Sequence, residues 1–175
     1  MTYTFEFIEN YNAFDRKQAI IDILVRCEGE FVPELSVWRT GKTLQEKMTK
    51  YILPNDSLYI AKDKETNEIV GFFHLKTDYE EEKMETYLPN LKIETIIIVP
   101  EYRGKGLADL LYKKIDDINK THFQKPYIVS ATWDSNEKQH YLFKKNNYKE
   151  VLVTTYPQDD NLYRHYFVKD TRTEN

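Results

Sequence analysis

Two basic residues and two glycines form a short run whose residue types suit the binding of an anion. The run is Arg103-Gly104-Lys105-Gly106-Leu107-Ala108. Glycine has no Cβ atom, so a ligand can approach the backbone of Gly104 and Gly106 closely. A helix that begins directly after the run would also present unpaired N–H groups and the positive end of its dipole to a phosphate. The spacing fits neither a Walker loop nor the GxGxxG dinucleotide motif.

The elements on both sides of this run follow from hydrophobic periodicity. Residues 93–99 are mostly β-branched, which is typical of a strand buried on both faces, and Pro100 ends that strand. After the run, apolar residues recur at three- and four-residue spacing and predict one face of a helix: Leu107, Leu110, Leu111, Ile115 and Ile118. The sequence therefore predicts a strand, a glycine-rich turn and a helix in succession.

This segment resembles the pyrophosphate loop of the GNAT family of N-acetyltransferases, in which Gln or Arg is followed by Gly three residues later and by Gly or Ala two residues beyond. The resemblance implies an α/β (α+β) GNAT fold, with a central mixed, mostly antiparallel sheet of about seven strands and about four flanking helices. It also implies that residues 103–108 bind the pyrophosphate of acetyl-CoA. The pantetheine arm is then expected along the strand at Ile96 and Ile98.

A second segment, residues 136–148, is similar to another GNAT motif. Asn136 matches an asparagine that commonly contacts the pantetheine arm, and Phe143 is expected beside the cofactor. Asn147 stands where glycine is usual, which requires a left-handed backbone. Many members have a tyrosine in place of Phe143, and that tyrosine is thought to protonate the departing CoA thiolate. Tyr141 is the candidate substitute, although residues two positions apart on a helix are separated by about 200° around its axis, so Tyr141 and Phe143 should face different directions. Water is the alternative proton donor.

The candidate general base is Glu94, which has the same strand parity as Ile96 and Ile98. An amine with a pKa of about 10.4 is protonated near neutral pH, so a carboxylate must remove a proton before the amine attacks a thioester. The resemblance aligns the family's strand glutamate with Glu94. The alternative is that Glu94 pairs with a neighbouring strand or binds a cationic substrate.

The resemblance implies a transferase: an acetyl-CoA-dependent N-acetyltransferase that acts on a primary amine of a small molecule or peptide by direct attack. The alternative is a non-catalytic acyl-CoA-binding sensor or scaffold. The acidic stretch 77–91 is either a solvated loop or a rim that attracts a cationic substrate. Residues 28–42 either wall the acceptor site or cover the sheet. No metal is expected, because the four histidines lack ligand spacing.

Composition limits the classes of partner. The 175 residues predict a single domain over 1–170 with a polar tail at 171–175. A net charge of -4 without a long basic run argues against nucleic acid and membrane partners. The single cysteine, Cys27, is expected in the core, and a cytoplasmic location is expected from this cysteine usage. A homodimer is left open by the tyrosines near the C-terminal end.

The remaining elements are predicted from alternation, turn residues and helix caps. Strands are expected over 2–8, 57–63, 68–76, 127–133, 148–155 and 162–169. Capping-box matches at Asp15, Thr43 and Asp134 predict the starts of three further helices. Gly71, inside the third strand, indicates a bulge or close backbone packing.

Overall fold

The computed structural model describes residues 2–31, 33–52, 56–156 and 159–173. Within these ranges the chain forms seven strands and four α-helices. The strands are β1 (Tyr3–Ile8), β2 (Ser57–Asp63), β3 (Ile69–Thr77), β4 (Asn90–Ile98), β5 (Tyr127–Trp133), β6 (Lys149–Tyr156) and β7 (Asp159–Asp170). The helices are α1 (Lys17–Cys27), α2 (Leu44–Tyr51), α3 (Leu107–Ile118) and α4 (Glu137–Lys145).

The strands form one mixed sheet in the order β1-β2-β3-β4-β5-β7-β6. β4 and β5 pair in parallel, and α3 supplies the crossover that parallel neighbours require. The pairs β1–β2, β5–β7 and β6–β7 are antiparallel. A mixed, mostly antiparallel sheet of seven strands with four helices confirms the predicted architecture.

Of the three predicted helix caps, one is correct and two are wrong. Thr43 caps α2, because its side chain accepts a hydrogen bond from the Glu46 N–H at 3.1 Å. Asp15 does not cap α1, which begins after Arg16 without a side-chain cap. Asp134 does not cap α4, because its carboxylate instead accepts a hydrogen bond from a backbone N–H of β7. The cap of α4 is Asn136.

Contacts divide the chain into two compact units. The first holds the chain up to His74 together with Thr95–Leu111, and the second holds Leu75–Glu94 with the chain from Tyr112 onward. Apolar side chains from α1, α2, β2 and β3 are fully buried in the first unit: Ile20, Leu24, Met48, Ile60 and Phe72. In the second unit the ring of Phe143 stacks on Phe167 at 4.7 Å between centroids and meets Tyr112 edge-on at 6.3 Å.

Gly71 allows the backbones of β3 and β4 to approach closely within the first unit. A Cβ atom at this position would lie 2.8 Å from the carbonyl oxygen of Ile97, a distance that side chains do not adopt. The Val99 N–H also donates to the Val70 carbonyl at 3.0 Å. The expectation of close packing at Gly71 is therefore confirmed, and this packing fixes the strand that leads into the glycine-rich loop.

Three smaller sequence expectations concern Cys27, the stretch 28–42 and the tail. Cys27 is buried, as expected, and burial is the main reason that the pKa of its thiol is raised. The stretch 28–42 contains two short 3₁₀ turns, Glu28–Glu30 and Leu35–Trp38, and its residue 32 lies outside the described residues. Thr171–Thr173 forms another such turn, whereas tail residues 174 and 175 lie outside the described residues.

In the described parts of the chain, no helix combines the length and the apolar content that crossing a bilayer demands.

Candidate active site

The loop between β4 and α3 has the conformation that its glycines predict. β4 ends at Ile98, a 3₁₀ turn covers Pro100–Tyr102, and α3 begins at Leu107. Gly104 and Gly106 have φ angles of 69° and 76°, in the left-handed region that favours glycine. Apart from its chain neighbours, a Cβ atom at either position would meet no atom of the described residues within 4 Å. The loop is therefore open, with space next to its backbone for a ligand.

The first turn of α3 supplies the donors of this candidate anion site. The Leu110 N–H donates to the Gly106 carbonyl at 3.3 Å, which starts the hydrogen-bond ladder of the helix. The N–H groups of residues 107–109 precede that bond and have no acceptor within the helix. Leu107 is buried and anchors the turn, while Ala108 is half-buried. An exposed glycine loop at the start of a twelve-residue helix fits a phosphate or pyrophosphate group.

The two basic side chains of the loop contact the protein itself. The Arg103 Nε donates to the Ile98 carbonyl at 2.7 Å, and its guanidinium forms an ion pair with Glu30 at 2.7 Å. The Lys105 Nζ donates to the Glu101 carbonyl at 2.6 Å. These contacts hold the loop against the end of β4. Direct contact of Arg103 and Lys105 with a phosphate stays a prediction.

The face of β4 that leads into the loop carries three predicted site residues. Glu94, Ile96 and Ile98 are each partly exposed, whereas Thr95 and Ile97 between them are buried. This alternation confirms that the three side chains share one face of the strand. On the opposite face, the Thr95 hydroxyl forms a buried hydrogen bond with the Tyr51 hydroxyl.

Glu94 forms ion pairs with two lysines that the sequence analysis did not identify. Its carboxylate lies 2.6 Å from the Lys92 Nζ and 3.8 Å from the Lys76 Nζ. Lys92 is buried, and its Nζ lies 3.3 Å from the centroid of the Tyr79 ring. Burial lowers the pKa of Lys92 to about 8, although the Glu94 charge acts in the opposite direction. The pair of Lys92 and Glu94 could have been predicted, because the two residues are two positions apart on β4 and share a face. No feature of the nearby sequence indicates that Lys76 on β3 also pairs with Glu94.

The acidic stretch 77–91 contains both bound and exposed carboxylates. Glu81 accepts hydrogen bonds from the hydroxyls of Tyr79 at 2.6 Å and Tyr166 at 2.7 Å. Burial raises the pKa of Glu81, but these two hydrogen bonds and the charges of Arg164 and Lys92 together outweigh burial, and the pKa is lowered. Asp78 forms an ion pair with Lys125 at 2.8 Å. The remaining acidic side chains of the stretch are exposed: Glu80, Glu82 and Glu85.

The second predicted motif lies at α4. The Asn136 side chain accepts a hydrogen bond from the Gln139 N–H at 3.2 Å and so caps the helix. Phe143 is 1% exposed, whereas Tyr141 is 64% exposed, in agreement with their separation around the helix. Asn147 has a φ of 66°, which confirms the left-handed backbone expected at the family's glycine position. Contacts of Asn136 and Phe143 with acetyl-CoA stay predictions.

A comparison with known proteins identifies a family that includes this arrangement of elements. Residues 17–148 match the model of the acetyltransferase (GNAT) family. No curated protein matches the chain significantly in sequence. An N-acetyltransferase from Staphylococcus aureus Mu50 is similar in structure, with a TM-score of 0.70 and 17% identity over 98% of this chain and 99% of that chain.

Two other solved structures are similar at low identity. The spermidine/spermine N-acetyltransferase SpeG from Vibrio cholerae, in mutant forms, has a TM-score of 0.65 and 15% identity over 98% of this chain and 96% of that chain. A Bacillus anthracis protein assigned as a streptothricin acetyltransferase was solved in complex with acetyl coenzyme A. It has a TM-score of 0.55 and 21% identity over 67% of this chain and 64% of that chain. At these identities the structural likeness concerns the fold.

Proposed function

The chain belongs to the GNAT family of acetyltransferases, and from this premise we propose that it transfers the acetyl group of acetyl-CoA to a primary amine of a small molecule or peptide. The observation that carries the proposal is the open loop at the start of α3, where Gly104 and Gly106 are left-handed and an added Cβ would meet no described residue within 4 Å apart from its chain neighbours. In the proposal, the backbone of residues 103–108 binds the pyrophosphate, and Ile96 and Ile98 align the pantetheine arm.

The transfer is a direct attack that needs a base. The amine must lose a proton, its nitrogen then bonds to the thioester carbonyl carbon, and the C–S bond breaks. Glu94 is the proposed base, acting directly or through water. Its position on the half-exposed face of β4 supports this role, and its ion pairs with Lys92 and Lys76 hold the carboxylate in place.

The departing CoA thiolate takes up a proton. Phe143 has no proton to give and is buried. Tyr141 is the proposed donor, and water is the alternative because a thiolate is a good leaving group near neutral pH. The variant Tyr141→Phe distinguishes the two, since it removes the hydroxyl from an exposed position with little effect on packing.

The acceptor is proposed to be an amine that carries positive charge. The exposed side chains Glu80, Glu82 and Glu85 support this choice, because clustered acidic groups raise the local concentration of cations. A polyamine therefore belongs in the panel of acceptors, beside lysine peptides, peptides with free N-termini and an aminoglycoside. A cytoplasmic location and a homodimer stay predictions from the sequence.

A second candidate function is an acyl-CoA-binding module without catalysis. The observation that favours it is Phe143, which stands buried where many GNAT enzymes have the proton-donating tyrosine. Such a module would bind acetyl-CoA through the same loop and release no CoA in the presence of amines.

The test is release of free CoA thiol from acetyl-CoA across the amine panel. Controls are reactions without acceptor, without protein, and with Gly106→Glu, which would place a carboxylate in the proposed pyrophosphate site. Release that depends on one amine class and is lost in Gly106→Glu supports the enzyme and identifies its substrate class. No release with any amine, together with a rise in melting temperature on adding acetyl-CoA, favours the binding module.

A further inference from the structure

Two of the four histidines lie together with a carboxylate in the second unit. His140 is on α4, Glu150 on β6 and His165 on β7, and their potential ligand atoms all lie within 4.8 Å of one another. The two histidines are partly buried and the glutamate is exposed. The residues come from three different elements, which explains why sequence spacing predicted no metal site here.

An irregularity in the β6–β7 ladder brings Glu150 to this position. Val153 is opposite His165, so a regular antiparallel ladder would place Val151 opposite Phe167. The observed partner of Phe167 is Glu150, because the ladder contains one extra residue on β6. Phe167 and His165 share a face of β7, so Glu150 joins that face. Such bulges re-aim side chains, and here the result is a 2.9 Å contact between Glu150 Oε2 and His165 Nδ1.

A contact with the backbone fixes the tautomer of the third residue. His140 Nε2 lies 3.1 Å from the backbone carbonyl of Trp133, and a carbonyl only accepts hydrogen bonds. Nε2 therefore carries the proton, and in the neutral ring Nδ1 keeps its lone pair. Metal-ligating histidines usually donate their other N–H to a carbonyl or carboxylate in this way. The ring also packs edge-on against His165, with 4.9 Å between centroids.

We propose that His140, Glu150 and His165 bind one divalent transition-metal ion, and that zinc(II) is the ion. Two imidazoles and one carboxylate form a common three-residue zinc set, in which water takes the fourth position. Calcium and magnesium prefer oxygen ligands throughout. Ligands around tetrahedral zinc lie about 3.4 Å apart, so the side chains would rotate on binding to bring their ligand atoms closer than the present 4.8 Å. The bound ion would tie α4 to the β6–β7 hairpin, independently of acetyl transfer.

The experiment measures zinc binding by the full chain after treatment with a chelator. Calorimetry should give one zinc per chain. At free zinc about 100-fold above Kd, the melting temperature should rise by about 5–10 °C. His140→Ala and His165→Ala should each weaken binding by more than about tenfold. Glu150→Gln keeps the size of the side chain and should also weaken binding. His122→Ala, an exposed histidine elsewhere, is the matched control and should bind as the wild type does.

A second readout does not depend on the stability of the variants. In the wild-type protein, zinc should shift the imidazole NMR signals of His140 and His165 and leave those of His74 and His122 in place. The proposal is overturned if zinc gives no thermal shift, if the two alanine variants bind as tightly as the wild type, or if the signals of His74 or His122 move instead.

Discussion

The buried Lys92 leads to a specific prediction about the dependence of stability on pH. Lys92 is 3% exposed, and burial lowers its pKa from 10.5 to about 8 in the folded protein. Between these two values the unfolded chain binds more protons than the folded chain, so raising the pH stabilises the fold. At about 1.36 kcal/mol per pKa unit, the gap is worth about 3 kcal/mol. The cost of burying charged Lys92 is thus fully present below pH 8 and disappears as the pH approaches 10.5.

The variant Lys92→Met removes this contribution and keeps an apolar side chain of similar length. The free energy of unfolding of the wild type, minus that of Lys92→Met, should rise by about 3 kcal/mol between about pH 8 and 10.5. Urea denaturation at several pH values measures both. This subtraction cancels the contributions of the tyrosines and other lysines that titrate in the same pH range. Lys113→Met, at an exposed position of α3, controls for the loss of one positive charge and should change stability by about 0.5 kcal/mol or less.

A difference that stays constant across this pH range would refute the reasoning. It would mean that Lys92 keeps its ordinary pKa and is solvated in the folded protein, in contradiction to its burial against Tyr79. A difference that falls as the pH rises would contradict the predicted direction of the pKa shift. It would mean that the ion pair with Glu94 raises the pKa of Lys92 more than burial lowers it.

Three further predictions concern the candidate active site. Glu94→Gln should lower kcat by about 10²–10⁴-fold with little change in the KM for acetyl-CoA, and an unchanged kcat would exclude Glu94 as the base. Gly106→Ala should cost about 1–2 kcal/mol of stability from its left-handed backbone, and calorimetry should detect weaker acetyl-CoA binding because the new methyl group lies in the open loop. Gly29→Ala should affect neither property, because the new Cβ would meet no described residue within 4 Å beyond its chain neighbours and the backbone of Gly29 is not left-handed. Tyr141→Phe should lower kcat if its hydroxyl protonates the thiolate, whereas an unchanged kcat in steady-state assays assigns that role to water.

The parts of the fold and site that the sequence predicted are those that depend on local periodicity. Alternation along β4 was enough to place Glu94 and Ile98 on one face, and the two glycines were enough to predict the open loop. Element boundaries also agreed closely, since β2 and β5 begin and end where the alternation and turn residues indicated.

The parts that the sequence did not predict depend on contacts between distant residues. Lys76 forms an ion pair with Glu94 from another strand. Glu30 forms an ion pair with Arg103, although the two residues are far apart in sequence. Asp134 had the spacing of a cap, but the pairing of β7 with β5 offered its carboxylate a different partner. The single domain over 1–170, the acceptor and the catalytic roles stay predictions.

Transfer of labelled acetyl groups tests the central claim most directly. The protein is incubated with acetyl-CoA labelled in its acetyl group and with the amine panel, and the amines are analysed by mass spectrometry. The account predicts label on the nitrogen of a primary amine in the wild-type reaction and none with Gly106→Glu. Unlabelled amines in every reaction, with acetyl-CoA still bound by the wild type, would contradict it.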